Sequence, residues 1–157
     1  MQRIASFLVN HDLLDKGMYL SRVDGDVSTY DIRMARPNGG EYLPNAVLHS
    51  FEHLFATVAR NGVYANSVLY IGPMGCRTGF YLLTHGLTQE QALGLVKDSF
   101  GAMAVYSGPL PGATHAECGN YLEHDLPGAI ALAHMMVGVL KNWSVADMAY
   151  KQAQTCL

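Results

Sequence analysis

Five consecutive residues, His49-Ser50-Phe51-Glu52-His53, carry the groups for metal chemistry: two imidazoles four apart and a carboxylate between them. In a helix, positions three and four apart share a face. His49 and His53 can therefore grip one cation, while Glu52 stands at the edge of that face. There a carboxylate can work on a metal-bound water or a substrate proton without being a ligand. This HxxEH order is that of the inverted zinc peptidases, and two His with one further ligand and an open fourth position is a catalytic rather than a structural arrangement. The remaining histidines, the thiols and downstream acids compete for the third position. Cys118, beside Gly119 in a loop, is well placed, because borderline-soft divalent ions favour imidazole and thiolate over carboxylate.

Each of these residues also has a plainer reading. An amphipathic helix can place two His four apart by chance when a chain contains seven of them. A lone Cys such as Cys118 is commonly a small buried hydrophobe. His49, Glu52 and His53, however, are polar positions among large apolar ones, and burying them unpaired would cost several kcal/mol. Cys76, between Gly75 and Arg77, is either a packed turn residue or a thiol whose pKa is drawn below its free value of about 8.5 by a nearby cation or metal. Arg33 and His11, judged by spacing alone, read as a surface charge and an ordinary polar residue at a strand end. His85, His115, His124 and His134 read as histidines without a catalytic task.

The elements that must position these groups follow from periodicity. Ile4 to Val9, Met18 to Val23 and Val27 to Ala35 read as strands, the last two joined by an Asp24-Gly25-Asp26 turn. From Pro44 to Arg60 the apolar residues recur at three and four, predicting the helix that carries HxxEH, with Asn61-Gly62 as its stop. Ser67 to Ile71 and Thr78 to Thr84 read as strands around a tight Gly72-Pro73-Met74-Gly75-Cys76 turn. Thr88 and Gln91 form a capping box for a helix to about Val105. Asp125 caps a further helix to about Asn142, with Pro127 in its first turn, and a last helix is expected from Ser144. Strands mixed with segregated helices predict an α+β fold with an antiparallel sheet.

The 157 residues suit a single domain, 1–157, with no repeat or linker dividing it. Half the residues are hydrophobic and 15% are charged, a composition that predicts a sizeable subunit interface. A formal charge of −3 without a basic run excludes a phosphate-backbone partner, so no nucleic acid is expected. The longest apolar stretch, Ala129 to Leu140, is too short for a membrane span, and the N-terminus lacks a signal pattern. Cys76, Cys118 and Cys156 are too few and too scattered for a secreted disulfide framework. No membrane association and a cytoplasmic location are expected.

Together, Tyr30-Asp31-Ile32-Arg33 with Pro37-Asn38, His49-Ser50-Phe51-Glu52-His53, Pro73-Met74-Gly75-Cys76-Arg77-Thr78-Gly79 and Glu117-Cys118-Gly119 resemble the S-ribosylhomocysteine lyase (LuxS) family in order and approximate spacing. The resemblance covers roughly Ser6 to the helix after Asp125. It implies a homodimeric α+β metalloenzyme, with its site at the dimer interface. It also implies one divalent metal per subunit, Fe2+ in the cell with Zn2+ or Co2+ as substitutes. The implied reaction cleaves S-ribosylhomocysteine to homocysteine and 4,5-dihydroxy-2,3-pentanedione, the autoinducer-2 precursor. Carried over by motif, His49, His53 and Cys118 would bind metal, Glu52 and Cys76 would transfer protons, and Ser6, His11 and Arg33 would bind substrate. Two segments depart from the family pattern. Tyr70 stands where an acid is usual, and Lys16-Gly17-Met18-Tyr19 replaces an Ala-Pro segment. The tail after Trp143 does not align with the family pattern. A small HxxEH metallopeptidase, and a metal-stabilised binding module closed by a fourth ligand such as His115 or Cys76, are the alternatives.

Overall fold

Gly25 and Asp26 turn the chain between the first two strands, β1 (Gly17–Asp24) and β2 (Val27–Arg33). Gly25 has φ +63°, a left-handed conformation that a residue without a Cβ adopts at no steric cost. The computed structural model describes residues 9–151, so the expected strand over Ile4 to Val9 lies outside it except for its last residue. Strands β3 (Val68–Pro73) and β4 (Gly79–His85) form a second hairpin. β4 pairs with β2 from Val27↔His85 to Arg33↔Gly79, which makes an antiparallel sheet in the order β1-β2-β4-β3. Where β2 and β4 meet at the site end, a Cβ on Gly79 would collide with the Ile32 carbonyl, so this close approach requires glycine.

Three helices cover one face of the sheet: α1 (Asn45–Ala59), α2 (Gln89–Ala104) and α3 (Leu126–Leu140). The α+β class is as expected, and the helix limits fall within two residues of those read from periodicity. Strand alternation sends Tyr30, Ile32, Phe80 and Leu82 into the core, all fully buried. There Phe51 of α1 meets Phe80 of β4 and Phe100 of α2, with ring centroids 5.0 and 5.4 Å apart. Phe51 lies within the HxxEH run, and its burial turns His49, Glu52 and His53 to the opposite, partly exposed side of α1. Both helix caps are present: Thr88 and Gln91 form a reciprocal capping box, and the Asp125 carboxylate accepts from Gly128 N–H.

The final segment differs from the expected helix. Ser144 and Asp147 do make a capping box, but it starts only a 3-10 turn over Val145–Met148. The segment is held by packing rather than by helical length. The Trp143 indole N–H donates to Met18 O at 2.8 Å, and its ring lies where a Cβ on Gly17 would be. Tyr19 meets Trp143 edge-on and stacks on Tyr150 with centroids 5.4 Å apart. The Lys16–Tyr19 segment and the tail are therefore one complementary feature: Gly17 makes room for Trp143, and Tyr19 is its partner.

A candidate metal and proton-transfer site

Helix α1 presents His49 and His53 with their rings 4.8 Å apart, and the loop after α2 brings Cys118 back over them. Cys118 Sγ lies 3.3 Å from His49 Nε2. His49 Nδ1 faces the Glu123 carbonyl at 3.0 Å, and His53 Nδ1 faces the Pro111 carbonyl at 2.9 Å. A carbonyl oxygen only accepts, so both Nδ1 atoms carry a proton, and Nε2 is the nitrogen through which either ring would bind an ion. Two imidazoles oriented this way, together with a thiol, form the donor set that suits a divalent transition ion. Gly112, at φ +67°, lies beside the His53 ring and turns the chain that supplies the Pro111 carbonyl.

A fourth group joins them. The ligand atoms of His49, His53, Cys118 and His124 all lie within 4.8 Å of one another. His124 had been read from the sequence as a histidine without a task. Its signal was its place one residue before the Asp125 helix cap, since the start of α3 is docked on α1 through Ser50. Ser50 is fully buried, accepts from Asp125 N–H at 2.7 Å and lies 3.2 Å from His124 Nδ1. Burial, reinforced by the neighbouring His49 and His53, holds the His124 imidazole below the usual histidine range and so favours its neutral form. His115, the other His considered as a closing ligand, is instead exposed against the Tyr121 ring.

The second half of the site is the turn between β3 and β4. Met74 N–H donates to Gly79 O and Arg77 N–H to Met74 O, both at 2.9 Å, and Arg77 takes the left-handed φ of 57°. This turn presents Cys76 to solvent. Arg33, far from being a surface charge, is 3% exposed. Its guanidinium is ion-paired with Asp31: one amino group donates to Oδ2 at 2.8 Å, and Nε lies 2.7 Å from Oδ1 without the alignment of a hydrogen bond. Its remaining amino group donates to Thr78 Oγ1 at 2.6 Å and points at Cys76 Sγ at 3.6 Å. Burial pushes the Cys76 thiol up, but hydrogen bonding with Thr78 and the Arg33 charge outweigh it and hold the thiol below its ordinary value. Beneath the pair, the Tyr150 hydroxyl donates to Asp31 Oδ2 at 3.0 Å.

The two halves adjoin. Cys76, His11 and Arg33 line a cleft of about 540 Å³, and His49 and Glu52 line a second of about 380 Å³. Gly75 and Arg77 border both. His11 opens a 3-10 turn, His11–Leu13. Ser6 lies outside the described residues. Tyr70 is on the edge strand β3, half exposed, with its ring folded over Gly72. A groove of similar size, about 530 Å³, between Met34, Tyr42 and Leu132 contains none of the metal-binding or thiol groups, so chemistry rather than volume locates the site. No helix among the described residues is long and apolar enough to cross a membrane.

A 43% identical S-ribosylhomocysteine lyase from Clostridium acetobutylicum aligns with 97% of this chain over its own full length. The lyase of Borreliella afzelii is 40% identical over 96% of this chain and 99% of its own. That of Phocaeicola vulgatus is 45% identical over 82% of this chain and 84% of its own. The model of the S-ribosylhomocysteinase (LuxS) family matches residues 4–146, so this chain belongs to that family.

Proposed function

We propose that this protein is an S-ribosylhomocysteine lyase that uses His49, His53 and Cys118 as metal ligands, and Glu52 and Cys76 as its proton-transfer pair. The observation that carries this reading is the pairing of two differently prepared groups across one rim. A soft donor set sits on α1, with Glu52 beside it, and a thiol of lowered pKa is held beyond Gly75 and Arg77. Peptide hydrolysis needs no such thiol. Moving a sugar carbonyl along its chain does, because each step removes a proton next to a carbonyl and returns one at the neighbouring carbon.

A divalent ion held by His49, His53 and Cys118 would supply a Lewis acid that draws electron density from the carbonyl oxygen of the opened ribose. Fe2+ is the ion we assign, with Zn2+ or Co2+ as substitutes, since imidazole and thiolate accept all three. Glu52 and the Cys76 thiolate take protons from the carbons flanking that carbonyl and return them, moving it from C1 to C2 to C3. A final proton removal expels homocysteine by β-elimination and leaves 4,5-dihydroxy-2,3-pentanedione. Thr78 and Arg33 favour the ionised form of Cys76, and we assign His11, on the same cleft, to a polar group of the substrate. Ser6 completes the substrate-binding set we assign.

We read residues 1–157 as one domain that works in the cytoplasm as a homodimer, with the two clefts at the subunit interface. The half-hydrophobic composition supports an extensive interface. The test is anaerobic: Fe2+- or Co2+-loaded protein is given S-ribosylhomocysteine, and released homocysteine is trapped with a thiol reagent. Stoichiometric release is expected. Absence of release would overturn the assignment, and peptide cleavage in its place would favour the metallopeptidase.

A further inference from the structure

His49, His53 and His124 crowd one another, with the His124 ring stacked on His49 at 4.1 Å and edge-on to His53 at 5.0 Å. The hydrogen bonds at their Nδ1 atoms are nonetheless of opposite kinds. His49 and His53 each face a backbone carbonyl, which can only accept. His124 faces a hydroxyl, that of Ser50. Ser50 Oγ already accepts from Asp125 N–H, a group that can only donate, and His124 Nδ1 is its one other partner among the described residues. Ser50 is fully buried, and its hydroxyl hydrogen has no other acceptor among the described residues, so the arrangement that leaves no buried donor unpaired sends that hydrogen to a bare His124 Nδ1. In a neutral imidazole the other nitrogen then carries the hydrogen.

That other nitrogen, Nε2, points at Cys118 Sγ from 3.9 Å, within reach of a hydrogen bond to sulfur. Asn120 N–H approaches the same sulfur to 3.4 Å. We infer that His124 is not a fourth metal ligand but a positioning residue, whose Nε2–H, held in that tautomer by Ser50, donates a hydrogen bond to the Cys118 thiolate. This deepens the ligand set proposed above and rests on it. Three rings within one cluster thus have two functions. Two expose lone pairs to the ion, and the third exposes a hydrogen to the sulfur that binds it. The donated hydrogen bond stabilises the thiolate's charge, and the arrangement keeps the fourth position free of protein, where a substrate oxygen is needed. Ser50, the second residue of HxxEH and fully buried, becomes the element that selects between an open and a closed site.

The test uses Co2+-loaded protein, read by its absorption spectrum and by chelator competition, in the parent chain, His124→Phe and Ser50→Ala. Phe keeps a ring against His49 but has no nitrogen. The expected result for His124→Phe is a thiolate-to-cobalt charge-transfer band moved to lower energy. Its ligand-field bands should stay unchanged, and metal affinity should fall about 10- to 100-fold. Ser50→Ala is expected to shift the charge-transfer band in the same direction by less, because either tautomer then becomes accessible. Ligand-field bands that change to those of a site with one nitrogen fewer in His124→Phe would show His124 to be a ligand and overturn the inference. A charge-transfer band unmoved in both variants would overturn it as well. If His124→Phe does not fold, Ser50→Ala decides alone. A parent chain that binds Co2+ with no thiolate band at all would instead remove Cys118 from the ligand set, a failure of the proposed function and not of the tautomer.

Discussion

The metal pocket and the thiol pocket share Gly75 and Arg77 at their common rim, yet they are prepared in opposite ways. The imidazoles of the candidate metal pocket are oriented by dipoles without net charge, the Glu123 and Pro111 carbonyls and the Ser50 hydroxyl. The thiol pocket is prepared by hydrogen bonding and charge: Thr78 bonds the Cys76 thiol, and a buried guanidinium, held by Asp31 and Thr78, points at it. The difference follows from what each half must do. Ligands for a divalent ion must keep lone pairs free, which backbone acceptors accomplish without adding charge near the ion. A thiol that exchanges protons near neutrality must be kept ionised, and that takes a cation close by in a site where burial alone would oppose ionisation.

Separating the two halves experimentally starts with the largest effect. Cys118→Ala should lose bound metal by elemental analysis, and with it all homocysteine release, while Cys76 alkylation stays as it was. Metal loss that also changed Cys76 reactivity would mean the two pockets are not independent. Glu52→Gln should keep one metal per chain but release homocysteine about 10²- to 10⁴-fold more slowly, the usual cost of removing a positioned proton-transfer group. Retained release would exclude the carboxylate from the chemistry.

Arg33→Met tests the thiol half alone. The Cys76 pKa is depressed in the folded protein, so its thiolate persists as pH falls below the ordinary thiol range, and alkylation stays fast there. Removing the guanidinium should move the pH midpoint of iodoacetamide alkylation upward, towards that of a free thiol. Because Asp31 would be left buried and unpaired, stability should also fall by about 3–5 kcal/mol in urea unfolding. Tyr150→Phe should give the smallest change. Loss of one hydrogen bond to Asp31 should cost about 1 kcal/mol and, by leaving Asp31 to neutralise Arg33 more fully, raise the alkylation midpoint slightly. A downward shift would contradict the proposed link from the tail to the thiol.

The two halves also differ in how far they could be read without coordinates. His49, Glu52 and His53 announce themselves because helical periodicity is local. Five residues suffice to place them on one face, and the burial of Phe51 confirms which face that is. Cys118 and Cys76 were legible as candidates from their Gly-flanked loops. Arg33 was not, because its burial depends on which strand lies beside β2 and on a tail more than 100 residues later that supplies Tyr150. His124 was missed for the same reason. Its neighbour in space, Ser50, is 74 residues away in sequence.

The sequence by itself determined the order of β1 to β4 and α1 to α3, the α+β class, the caps at Thr88 and Asp125 and the polar face of α1. These rest on periodicity and on groups a few residues apart. Only the tertiary structure decided the protonation pattern of the site. Which imidazole nitrogen is bare depends on the single acceptor or donor that folding places against the other nitrogen. Whether Cys76 is ionised depends on a guanidinium whose position is set by strand register and burial. Such contacts act over a few ångströms between residues far apart in the chain, and no local pattern records them.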